Sequence, residues 1–181
     1  MSYRWCFVIT IYLFGVGLVL GLAVPTSVAL FSEEIAVLRK MADFLGTLPR
    51  SSIFAFIFVK NVSALLLSLV LSPIFCLVPV VALVSNGWLI GVVSNAVIKE
   101  VSLGYLLAGL LPHGIFELPA FILGEAVALS LGSRVLLALL RKERGNILID
   151  LRKSSRYLAL VLILLLLAAI IEAYITPLFL G

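Results

Sequence analysis

"LLPHGIFELPAFILGEA", residues 110–126, is the stretch on which the reading of this chain turns. A proline, the only histidine and a glutamate fall within Pro112–Glu117, and a second proline, Pro119, and a second glutamate, Glu125, follow. The sequence on both sides is strongly apolar. Ionisable side chains inside a bilayer are expensive, and they persist where they face a protein interior or water and find a partner. A proline inside a helix removes a hydrogen bond and clashes with the carbonyl four residues back. The stretch thus concentrates costly side chains and helix breakers, which predicts a broken helix around a polar interior.

Working outward, composition identifies the solvent. The 181 residues are 64% hydrophobic and 12% charged, with a mean hydropathy of +1.30. Soluble domains are about half apolar and about a quarter charged. The apolar runs are too long and unbroken for barrel strands, so the expected class is an all-α integral membrane protein. A single transmembrane domain, 1–181, takes up the whole length. The net charge of +4 gathers in one segment, which argues for a membrane surface and against nucleic acid. Cys6 and Cys76 lie inside apolar runs and read as small apolar residues.

The chain stays apolar for 32 residues, from Val101 to Gly132. One straight helix of that length would measure about 48 Å against roughly 30 Å of hydrocarbon. It must bend, tilt or split, and Pro112 and Pro119 are the expected breaks. Four more apolar runs, 6–24, 53–72, 74–98 and 157–175, make five transmembrane helices with this one. The first exceeds a signal peptide's apolar region and reads as a retained anchor. Its Gly17 and Gly21 form a G-x-x-x-G that lets another helix approach closely.

Residues 32–46 place Ile35, Leu38, Ala42 and Leu45 on one face, in line with Phe31. Ser32 can cap this segment, Glu33 and Glu34 suit its first turn, and Gly46 and Pro49 end it, so it reads as an amphipathic interfacial helix. The second span carries Lys60 and Asn61 near its middle; the third carries Asn86 and Asn95. With Pro73 between them, these two spans are expected to form a tight antiparallel hairpin. Glu172 lies near the end of the last span.

Segment 141–156, "RKERGNILIDLRKSSR", holds six basic and two acidic residues. It reads as a charged connector on the cytoplasmic side of a multi-pass protein of the cell membrane. The amino terminus has two readings. If 101–132 crosses once, Arg4 and the seven basic residues from Arg134 to Arg156 share one side, eight against four. If it is re-entrant, the split is eleven against one with Arg4 outside.

His113 and Glu117, four apart, share a helix face and can share a metal ion or a hydrogen bond. Glu125 lies two turns further and would join them only if a break folded it back. Lys60 and Asn61 are the nearest partners from another span. The ion-binding or pore-lining candidates are therefore His113, Glu117, Glu125, Lys60, Asn61 and Asn86.

"PHGIFELPA", 112–120, resembles the hallmark of the stage II sporulation protein M family of polytopic membrane proteins. "IFVKNVSALLLSLVLSPIF", 57–75, resembles its apolar segment with a central asparagine, here Asn61. "VALVSNGWLIGVV", 81–93, resembles its segment with an Asn-Gly pair, here Asn86 and Gly87. The similarity covers roughly 50–140 and, loosely, the rest. Lys60 departs from it, since the family pattern has an uncharged residue there. The resemblance implies a polytopic fold. It also implies a link, in spore-forming bacteria, to a membrane complex that remodels the cell wall during engulfment; it supplies no chemistry.

Three functions are compatible with these residues. The first is a channel or transporter-like protein, because broken helices with polar groups at mid-depth build ion sites and two acids favour a cation or a proton. A homo-oligomer, best a dimer, would bring two such segments together. The second is a non-catalytic scaffold subunit of a membrane complex of the cell-envelope remodelling type, in which His113 and Glu117 pair internally and stitch the helix to Lys60. The third is an intramembrane metallohydrolase. It is disfavoured because H-x-x-x-E differs from H-E-x-x-H, and one histidine leaves the remaining ligands to carboxylates or another protomer. The expectation is a non-enzyme with no cofactor beyond a bound cation, which includes a metal on His113 and Glu117. Its partners are the lipid bilayer, a second copy and a membrane protein.

Overall fold

A computed structural model describes residues 3–25, 48–74, 76–141 and 147–180. It contains α1 (Tyr3–Leu22), α2 (Arg50–Leu71), α3 (Leu77–Glu100), α4 (Leu103–Arg141) and α5 (Ile147–Ile170). A π-helical turn, Ile171–Ile175, continues α5, and the short α6 (Pro177–Leu180) comes after it. Among the described residues there is no strand, and five helices are long and apolar enough to cross a membrane. Lipid offers the backbone no hydrogen bonds, so each span satisfies its own N–H and C=O groups as a helix. The chain is a multi-pass, all-α membrane protein. The expected interfacial helix, 32–46, lies outside the described residues.

The break expected at Pro112 and Pro119 is absent. Both prolines lie inside one continuous helix of 39 residues, α4. Each costs a single backbone bond, and seven residues of separation put both near the same face, so the ladder on the other side is undisturbed. The excess length is absorbed differently. Gly132 packs against the Ser72 carbonyl oxygen in the α2–α3 turn, and residues 133–141 continue α4 beyond that level. A helix this long spans about 58 Å at 1.5 Å per residue. It is one continuous helix rather than a re-entrant pair.

The expected hairpin is also not what forms. The α2–α3 turn is tight, with Cys76 in the left-handed region at φ 56°, but the helices it joins do not form a close hairpin. They share few contacts: α2 leans on α4 and α5, whereas α3 packs on α1 and α4. The glycines explain the splay. A Cβ at Gly17 would strike the Val84 carbonyl, one at Gly21 that of Trp88, one at Gly87 that of Phe14, and one at Gly91 that of Leu18. Two G-x-x-x-G faces thus meet backbone to backbone, the close approach that substitutes for a hydrophobic driving force in lipid. The latter part of the basic connector, from Ile147, is helical and continues into α5.

Paired contacts give the direction of each helix. Gly17 lies at Val84 and Gly21 at Trp88, so α1 and α3 are parallel. At the far end Asn95 donates from Nδ2 to the Val24 carbonyl at 2.8 Å. At the near end Tyr3 stacks on Tyr157 of α5, with centroids 4.5 Å apart. Helices α1, α3 and α5 therefore run one way and α2 and α4 the other, the pattern of five alternating crossings. The start of α1 and the start of the apolar part of α5 share one face of the bundle. Between α2, α4 and α5 the core is built on Leu65, Ala120, Val161 and Leu165.

A polar cavity inside the bundle

Helix α4 carries His113 and Glu117 one turn apart, with Glu125 two turns further on. All three line a cavity of about 260 Å³ with Lys60 and Asn61 of α2 and Asn86 of α3. The rest of its wall is largely apolar, contributed by residues such as Phe14, Leu65, Phe121 and Val161. The six polar candidates, drawn from three spans, meet at one place in the fold.

Two of the acids are held from α2. Asn61 donates from Nδ2 to Glu117 Oε1 at 3.1 Å. Seven residues along, Ser68 donates from Oγ to Glu125 Oε2 at 2.5 Å. Ser68 and Glu125 are 1% and 2% exposed, so this second pair is sealed inside protein. Seven residues on α2 match eight on α4, which keeps both pairs in register between neighbouring helices.

His113 and Glu117 do not recruit Glu125 as a third group, because the unbroken helix holds it two turns away. The third group is Glu172, from the π-helical turn. Ligand-capable atoms of His113, Glu117 and Glu172 all lie within 4.8 Å of one another. The π-turn aims this side chain: an extra residue per turn rotates the side chains within and beyond it relative to an α-helix, and such turns recur at functional sites. The Thr176 N–H closes it on the Ile171 carbonyl at 2.8 Å. The Thr176 hydroxyl lies 3.3 Å from the same carbonyl and 3.5 Å from His113 Nδ1. Arg50, at the start of α2, reaches the Tyr174 carbonyl of the turn from Nη1 at 3.4 Å.

Lys60 and Asn86 are exposed and stand where α2 and α3 flank the cavity. Asn86 donates from Nδ2 to the Ala82 carbonyl of its own helix at 2.8 Å, leaving its amide oxygen as the group it can offer the cavity. Asn95 is not at the site; it closes the end of α1. Sequence reasoning misses Glu172 and Ser68. Glu172 is an acid in the most apolar span, the same signal that singles out Glu117, but it stands near the span's end, far in sequence from the 110–126 stretch. Ser68 is legible only once Asn61 is known to face α4, as the next residue on the same stripe.

A sequence model of the family described as stage II sporulation protein M matches residues 9–177. An uncharacterized protein of Methanocaldococcus jannaschii is 27% identical over 172 residues, covering 94% of this chain and 93% of that protein. No solved structure matches the chain.

Proposed function

The chain belongs to the stage II sporulation protein M family, and we propose that it is a channel or transporter-like protein that passes a cation or protons through the α2–α3–α4 cavity. The observation that carries this reading is the convergence of His113, Glu117, Glu125, Lys60, Asn61 and Asn86 on one mostly apolar-walled cavity. Groups that are costly in lipid gather where they make one polar interior. The acids supply negative charge, the amides supply oxygens, and a step of about 12 Å along α4 separates Glu117 from Glu125. We place the protein in the cell membrane with segment 141–156 in the cytoplasm, on the strength of its six basic residues.

The working unit in this reading is a dimer. Lys60 and Asn86 are exposed at the cavity's flank, and a cation in mid-span is not left against acyl chains. A second copy laid over this flank would cover both residues and bring two cavities together. We read the protein as a non-enzyme, since its single histidine and the two carboxylates beside it offer an ion site without the second histidine of H-E-x-x-H.

A scaffold reading is favoured by one observation: both inter-helix bonds to carboxylates also act as structural stitches. Flux separates the two. Purified protein in liposomes is expected to admit protons or cations, read by entrapped indicator dyes, and Glu117→Gln should reduce that flux while remaining monodisperse. An inert, correctly inserted wild type would favour the scaffold.

A further inference from the structure

We infer that His113, Glu117 and Glu172 form a three-ligand site for a divalent first-row transition-metal ion, with Glu172 as the ligand that the π-helical turn delivers. The inference deepens the cation reading above and rests on it for the assumption that the cavity admits a cation.

The donor set selects the ion. Hard ions such as Mg²⁺ and Ca²⁺ prefer all-oxygen shells, whereas an imidazole nitrogen suits zinc, iron, cobalt or nickel, and manganese tolerates both donor types. One imidazole and two carboxylates fit the latter group. Two carboxylates also balance a double positive charge, which matters where water is scarce. The ligand atoms lie within 4.8 Å of one another, and tetrahedral metal–ligand bonds of about 2.0–2.2 Å set neighbouring ligand atoms about 3.3–3.6 Å apart, so each ligand atom needs to move inward by no more than about 0.8 Å. Sub-ångström side-chain adjustment closes the difference.

The outer partners point the same way. Metal-bound histidines and carboxylates are oriented by further hydrogen bonds, and losing those costs affinity. Here Asn61 holds one oxygen of Glu117, which leaves the other free. The Thr176 hydroxyl sits at His113 Nδ1, which leaves Nε2 as the ring nitrogen for the ion. With three protein ligands, at least one coordination position is left open. An ion held this way can exchange, as a transported ion must.

Cobalt(II) is the probe, because bound Co²⁺ absorbs visible light according to its ligands and geometry. Full-length protein in lipid nanodiscs is titrated with CoCl₂, with and without excess Mg²⁺. The expected result is saturation at one ion per chain that survives Mg²⁺ and weakens at least about tenfold in Glu172→Gln and in His113→Ala. Ser85→Ala, on the exposed face of α3, controls for handling and folding. Monodisperse wild type that ignores Co²⁺, displacement of Co²⁺ by Mg²⁺ at equal concentration, or a Glu172→Gln protein that binds like wild type would each overturn the assignment. Flux of protons or monovalent cations without Co²⁺ binding sinks the metal site and leaves the pathway standing. Saturable Co²⁺ binding without flux supports the site and sinks the pathway.

Discussion

Asn61 and Glu117 join α2 to α4 through one hydrogen bond, Nδ2 to Oε1 at 3.1 Å. A half-buried carboxylate whose donor is removed loses that bond and keeps part of its desolvation penalty, about 1 kcal/mol. Asn61→Leu is therefore expected to lower thermal stability in detergent. Replacing both partners with apolar groups removes the penalty, so Asn61→Leu with Glu117→Leu should cost less than the two single changes added together. A double-mutant cycle on unfolding midpoints reads that coupling; strict additivity would mean the bond contributes nothing.

The Ser68–Glu125 pair predicts a sharper contrast, because both side chains are almost fully buried. Ser68→Ala should destabilise by about 1–3 kcal/mol. The same change at Ser63, exposed on the same helix, should be close to neutral. Equal melting shifts for the two variants would show that Glu125 does not depend on its serine.

Much of this is legible in the sequence, and the reasons for the rest are physical. Length and apolarity fix five spans, because a helix is the only way a short chain satisfies its backbone in lipid. The cost of intramembrane charge brings His113, Glu117 and Glu125 forward, and the structure places them in one cavity. Proline misleads: its penalty is local, and α4 absorbs two of them without ending. The splay of α2 from α3 is hidden because the partner of Gly17 and Gly21 is not adjacent in sequence. Gly87 and Gly91 repeat the same spacing on α3, and matching the two motifs would pair α1 with α3. Glu172 depends on a π-turn, for which sequence carries no simple signature.

That glycine interface yields its own prediction. Gly17 and Gly91 each leave no room for a Cβ before the facing backbone, whereas nothing stands within 4 Å of a Cβ at Gly15. Gly15→Ala should be tolerated, and on α-helix propensity mildly stabilising. Gly17→Leu and Gly91→Leu must push α1 from α3, at about 1–3 kcal/mol or more for each overpacked site. Melting curves and the fraction of monodisperse protein on size exclusion distinguish the three variants. A Gly17→Leu protein as stable as Gly15→Ala would contradict the packing.

Helix directions and basic charge together predict membrane topology. Tyr3 stacks on Tyr157, so the start of α1 and the start of the apolar part of α5 share a side, and α4 is a single helix long and apolar enough to cross once. The eight-against-four division of basic residues then applies, and the positive-inside rule places that shared side in the cytoplasm. Cysteines report this directly. In a background with Cys6→Ala and Cys76→Ser, a thiol introduced as Val101→Cys, between α3 and α4, should react with an impermeant maleimide in intact cells. One introduced as Ser154→Cys should react only after the membrane is opened. The two positions bracket α4, so labelling both from the same side would mean that α4 does not cross. The cavity would then lack the transmembrane setting that makes its buried acids costly.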